Sequence, residues 1–166
     1  MTPKRKRGIP GPFKELVGKP CWSVKWDVDL GFELNFGAPH LEVREPHESA
    51  APNASARRAA SYRQIVVRGQ WWLWSLGGNW RVTQRDAMPV TGSTPWPRMC
   101  RSLCDLDGQK LTSGSINRRT GATELRFDLG GVVEMWGSKF PDRQIWSLYG
   151  PSRQIITVST DGSIAR

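Results

Sequence analysis

Few residues in this chain have types and spacing suited to chemistry. Cys100 and Cys104 stand i, i+4, so on a helix both thiols would face one metal ion, with Cys21 and His40 as further candidate ligands. Structural zinc sites use tighter paired motifs than a single Cys-X3-Cys, and the thiols read better as small hydrophobes, so no cofactor is expected. Asp27 and Asp29 share one strand face and could meet Glu33 across a turn, yet a solvated polar face explains all three. The two histidines, His40 and His47, sit at a strand end and in a loop, and no Gly-X-Ser-X-Gly, phosphate-loop or His-Glu-X-X-His word occurs. A nucleophile held by an orienting base is therefore not visible, and the chain reads as a binding protein rather than an enzyme.

The remaining chemistry is electrostatic and aromatic. In 166 residues, 24 Lys and Arg face 15 Asp and Glu, a formal net charge of +9 with a sequence pI near 10.1. Such a field attracts polyanions or an acidic protein surface. Lys4, Arg5, Lys6 and Arg7 form a basic arm, Arg57, Arg58, Arg63 and Arg68 flank a long loop and a Trp-rich strand, and Arg98 and Arg101 lie near a predicted helix. Trp71, on the strand face it shares with Leu73 and Ser75, is the candidate stacking platform beside them. Together Lys4 to Arg7, Arg57, Arg58, Arg63, Arg68 and Trp71 are the candidate binding residues. Trp96 and Trp136 also fit the inward faces poorly, whereas Trp22, Trp26, Trp72 and Trp74 alternate as core positions should.

These side chains need strands to hold them. Trp22, Val24, Trp26 and Val28 alternate with polar residues, as do Phe32, Leu34 and Phe36, and Leu41 and Val43 follow a Gly-Ala-Pro turn, which predicts a three-stranded meander. Residues 46–60 read as an exposed loop in which 54–60 could form a helical turn. Ile65 and Val67 lead into Gly69–Val82, which holds four of the nine Trp and turns at Gly77-Gly78-Asn79. Phe13, Leu16 and Val17 suit one helical turn, and Met99, Leu103 and Leu106 a short helix stopped by Gly108. Strands follow at Leu111–Ile116, Leu125–Leu129, Val133–Met135, Ile145–Leu148 and Ile155–Val158.

Part of this order recurs. The words around Leu16, Leu34 and Val43 return around Leu106, Leu125 and Met135 at offsets of 90, 91 and 92 residues, and Trp74-Ser75-Leu76 returns as Trp146-Ser147-Leu148. The expected fold is all-β: two similar meander halves, about 13–86 and 99–166 with a linker at 87–98, packed as a sandwich or a closed barrel, with one short helical turn before each half. Residues 1–12 would be a mobile arm outside this single domain.

The tail from Gln144 through Trp146-Ser147-Leu148-Tyr149-Gly150-Pro151 and Ile155–Val158 to Ile164-Ala165, preceded by Leu125–Met135, resembles a family of small, uncharacterised actinobacterial β-proteins. Ser159-Thr160-Asp161 departs from that family's Pro-Gly, and the basic arm lies outside the match. The resemblance implies the build of immunity and conflict-system accessory proteins and carries over no catalytic residues. The reading is a non-enzymatic binding module for a protein partner with an acidic surface, as in an immunity or accessory subunit of a bacterial defence or toxin system. The alternative is a basic single-stranded nucleic-acid-binding protein. No stretch has the roughly eighteen apolar residues of a membrane span, and the odd number of cysteines fits a reducing setting, so a cytoplasmic protein is expected.

Overall fold

Successive side chains of an extended strand leave on opposite faces, so two sheets with alternating apolar residues can close over one core. The computed structural model of the chain describes residues 11–27, 31–75, 78–138 and 144–166. Lys4, Arg5, Lys6 and Arg7, together with Val28, Asp29, Leu76 and Gly77, lie outside them.

Among the described residues the strands are β1 (Cys21–Asp27), β2 (Gly31–Arg44), β3 (Gln64–Ser75), β4 (Asn79–Thr83), β5 (Leu111–Ile116), β6 (Thr123–Phe127), β7 (Val132–Trp136), β8 (Gln144–Tyr149), β9 (Ile155–Ser159) and β10 (Ile164–Ala165). Two helices join them, α1 (Ala54–Ala60) in the long loop and α2 (Trp96–Cys104) ahead of β5, and a single 3-10 turn at Lys14–Leu16 precedes β1. One sheet has the order β1-β2-β3-β8-β9-β10 and the other β4-β7-β6-β5, with every pairing antiparallel. The two sheets pack face to face as a sandwich, which decides between the two closures left open by the sequence. Each sheet takes strands from both predicted halves.

The inner face of the six-stranded sheet carries Cys21, Phe32, Leu34, Phe36, Trp71, Leu73, Trp146, Leu148, Ile156 and Val158, and the other sheet answers with Trp80, Val82, Leu125, Phe127, Val133 and Met135. Phe32 stacks on Trp80 at 4.9 Å, and Phe36 lies parallel to Phe127 at 6.5 Å. The indole N–H of Trp146, fully buried, donates to Thr123 Oγ1 across the core at 2.8 Å. At one end, Gln109 ties three segments together: its amide donates to Gln84 Oε1 and to the Asp105 carbonyl, and its own oxygen accepts from Gly131 N–H. Gln84 in turn donates to the Ser102 carbonyl on α2.

Three expectations about strands change. The meander's second and third strands are one, because the bulge between Phe36 and Pro39 bends β2 without ending it. In β1, Ser23 takes a φ of 51° and the register shifts between Trp22 and Lys25. Trp22 and Val24 therefore do not share a face: Val24 is buried in the core while Trp22 is half-buried and donates its indole N–H to the Gly37 carbonyl. The third change concerns β3 and is the basis of the candidate site.

Candidate aromatic groove

Trp71, Trp72, Leu73 and Trp74 are apolar at four consecutive positions, so alternation alone does not say which pair faces the core. The pairing of β2 with β3 settles it. Phe36 stands opposite Trp71 and Leu34 opposite Leu73 on the inner face, while Asn35 stands opposite Trp72 and Glu33 opposite Trp74 on the outer face. Trp71 is therefore a core residue with 6% of its surface exposed. Its candidacy as an exposed platform is corrected: a ring packed inside the sandwich cannot stack on a ligand. Trp72 and Trp74, assigned to the core from the alternation, face outward and are half-buried. Their relation to the repeated word is also inverted, since β8 lies beside β3 with Trp74 opposite Ser147, and Trp146 points inward.

The outer face of the six-stranded sheet forms an open groove of about 1340 Å³. Trp72, Trp74 and Tyr149 are its aromatic walls, while the ring of Trp26, opposite Phe32, packs inward against Trp80 at 6.0 Å. Trp72 and Tyr149, opposite one another on β3 and β8, stack at 4.1 Å with their planes 8° apart. The Arg68 guanidinium lies 4.3 Å from the centre of the Trp72 ring. Such cation–π contact and ring stacking hold the side chains in place before any ligand arrives.

Beneath the rings runs a polar network that the sequence did not single out. Asn35, wholly buried, accepts from Gly69 N–H at 2.8 Å and donates to Glu33 Oε1 at 2.9 Å. Glu33 Oε1 is also in ionic contact with Arg68 Nη1, at an angle that does not make a hydrogen bond, and with Lys25 Nζ at 3.5 Å. Arg68 Nε reaches Glu42 Oε2 at 3.4 Å, and Arg44 pairs with the same carboxylate at 3.0 Å. Partial burial works to raise the pKa of Glu42, but the hydrogen bonds and charges of Arg44 and Arg68 outweigh it and hold the carboxyl below its ordinary value. A general acid needs the opposite shift, so Glu42 is set to hold charge in place rather than to release a proton near neutral pH. The signal for this network was the polar pair Glu33 and Asn35 in alternation with Phe32, Leu34 and Phe36. That pattern reads as a solvated face unless the strand's outer surface is itself covered by bulky rings.

The other predicted binding residues are not gathered here. Arg57 donates to the Ala51 and Pro52 carbonyls from α1, Arg58 is exposed on the same helix, and Arg63 pairs with Glu45 at 2.8 Å. Arg68 alone of the candidates lines the groove. Trp96 and Trp136 are exposed on α2 and β7, as their poor fit to the inner faces implied, and Arg81 lies over the Trp136 ring at 5.9 Å. The hypothetical metal ligands are also apart in role: Cys21 is buried in the core and donates its thiol to the Leu106 carbonyl, with burial and then Asp107 pushing the thiol pKa up, while His40 is exposed on β2. Among the described residues no three potential ligands cluster, and no helix is long and apolar enough to cross a membrane.

Comparison with known proteins found no family model, no curated protein and no solved structure similar to this chain.

Proposed function

We propose that the chain is a non-enzymatic binding module for a protein partner, an immunity or accessory subunit of a bacterial defence or toxin system, and that the aromatic groove is its contact surface. The observation that carries this reading is the combination of three pre-set aromatic rings with three of the groove's four Lys and Arg already matched by carboxylates. Trp, Tyr and Arg supply most of the binding energy at protein interfaces, because large rigid rings lose little entropy on contact. A groove built for a nucleic-acid backbone would instead leave its cations open to phosphate. Here Lys25, Arg44 and Arg68 are engaged with Glu33 and Glu42, and Arg153 is the remaining Arg of the lining. The net charge of +9 steers an acidic partner toward the molecule.

The alternative, a single-stranded nucleic-acid binder using Lys4 to Arg7, Arg57, Arg58, Arg63 and Arg68, keeps the charge as its support. It predicts affinity that falls steeply with salt. One experiment separates the two. Tagged wild-type chain and Trp74→Ala are used to isolate partners from the native host with and without nuclease, and the protein recovered is then titrated against both purified chains. The expected result is a nuclease-resistant protein partner whose Kd weakens at least about tenfold with Trp74→Ala, which is a loss of about 1.4 kcal/mol, while the melting temperature is kept and Trp136→Ala binds normally. Nuclease-sensitive retention, or turnover of a small molecule abolished by one point mutation, would overturn it.

A further inference from the structure

The strand β3 is twelve residues long, yet β8 pairs with it only from Trp72 to Trp74. Among the described residues, β3 toward its N-terminus has β2 on one side and no strand on the other. The same is true of β2, which β1 covers only as far as Phe36. The two open edges differ. Pro39 and the neighbouring bulge lie on the β2 edge, and both features discourage a further strand. The β3 edge from Gln64 to Arg68 reads Gln-Ile-Val-Val-Arg, without Pro or Lys and rich in β-branched residues.

Backbone direction can be read from one proline. Pro39 stands opposite Gly69 and has no N–H to donate, so that pair is not hydrogen-bonded and the pairs His40–Arg68, Glu42–Val66 and Arg44–Gln64 carry the ladder to β2. Gly69 N–H goes instead to the Asn35 side chain beside the bulge. By alternation the N–H and C=O groups of Ile65 and Val67 face the open lane. A strand laid in this lane would continue the line of β8 through the sheet.

The side chains say which strand would fit. On one face of the lane Ile65 and Val67, with their neighbours Leu41 and Val43, continue the core-side face of the sheet beyond the second sheet and stay exposed, at 63, 50, 64 and 52% respectively. On the other face, Gln64, Val66 and Arg68 line the aromatic groove with the turn that ends β8. Arg153 in that turn is exposed and, among the described residues, takes part in none of the ion pairs.

We propose that the open edge of β3 from Gln64 to Arg68 accepts an extended segment of the protein partner as an added β-strand, with apolar residues alternating with acidic ones. The apolar residues lie beside Ile65 and Val67, and a carboxylate on the groove side meets Arg153. Main-chain hydrogen bonds supply affinity in this mode and the alternate side chains supply specificity. This proposal rests on the groove reading above and specifies how the partner is held.

The test uses the full chain and a display library of random peptides, from which enriched sequences are synthesised and titrated. An acetylated Glu-Val-Thr-Val-Glu-Val-Thr amide serves as a designed probe, with its Glu-to-Lys counterpart as the charge control. Val67→Pro removes a lane-facing N–H while sparing the β2–β3 ladder. The expected results are enrichment of acidic peptides with alternating β-branched residues, at least tenfold weaker binding to Val67→Pro and to the charge control, and amide-exchange protection of Ile65 and Val67 on binding. Unchanged binding by Val67→Pro, or no enrichment of extended acidic peptides, would overturn the proposal. If Trp74→Ala still abolishes capture of the whole partner in either case, the groove reading stands and only the added strand falls. A peptide-free dimer dissolved by Val67→Pro would overturn it in favour of β3 pairing with a second copy. Val67→Pro chains are compared by far-UV circular dichroism first, and if they unfold, Arg153→Glu, which lies outside the strand, replaces them with the same readouts and the same expected loss.

Discussion

Arg68 shows how one side chain can serve both the sheet and its surface. It is buried beside Glu33, fixed against the Trp72 ring and linked to Glu42. Because its charge is spent inside the molecule, it cannot act as the open phosphate contact that its place in a basic run suggested. The same network sets a pH response. Glu42 has a lowered pKa in the folded chain, so its share of stability is present above the unfolded value of about 4.3 and is lost as the pH falls through the folded value. Carboxyl-carbon NMR is expected to place the Glu42 midpoint below that of an ordinary glutamate, and Arg44→Ala is expected to move it upward. Trp71 illustrates the converse case. Its neighbours Arg68 and Gln70 lie on the groove side, but one step along a strand reverses the face, so sequence adjacency to a functional Arg said nothing about the ring.

The β2–β3 ribbon is the element that departs most from the pattern of a buried sandwich. Its alternation at Leu41, Val43, Ile65 and Val67 is that of a core-facing pair of strands, and locally the strands form as the pattern predicts. The second sheet does not extend under them, so the apolar stripe has no covering layer among the described residues. A stripe of this kind adds little to the stability of the lone chain. Ile65→Thr and Val67→Thr are expected to change the unfolding free energy by no more than about 0.5 kcal/mol each in urea titrations, the usual range for exposed sites. Leu34, on the same strand pair but inside the sandwich, sets the contrast: Leu34→Ala is expected to cost about 2–5 kcal/mol. Equal losses at the two sites would mean that the stripe is covered in the free protein.

At the scale of the molecule, the two sheets are joined by their apolar faces and at one end by the buried Gln109–Gln84 pair, which links α2, β4 and the turn between β6 and β7. Every polar atom of Gln109 has a partner, and such networks fix one arrangement of the surrounding elements. Gln109→Leu would strand the Gly131 N–H and the Gln84 oxygen in an apolar setting, and the expected cost is about 1–3 kcal/mol in a denaturant titration. The loss belongs to the sandwich as a whole, so it should leave the affinity of the folded groove for its partner unchanged.

Much of the fold was legible because alternation and turn residues act locally. The strands from Leu111 to Val158, the helix ended near Gly108 and the helical turn at Ala54–Ala60 all follow from side-chain period, Gly and Pro. Local pattern also exposed the lack of catalytic words and the surplus of Trp and Arg. It could not orient Trp71–Trp74, where four apolar residues suit either face, nor see that a single left-handed residue at Ser23 shifts the phase of β1. Those choices depend on which strand lies opposite and where the second sheet ends. The aromatic groove, its buried Glu33–Arg68–Glu42 network and the open β3 edge are therefore properties of the tertiary structure, because each is created by residues that only strand pairing brings together.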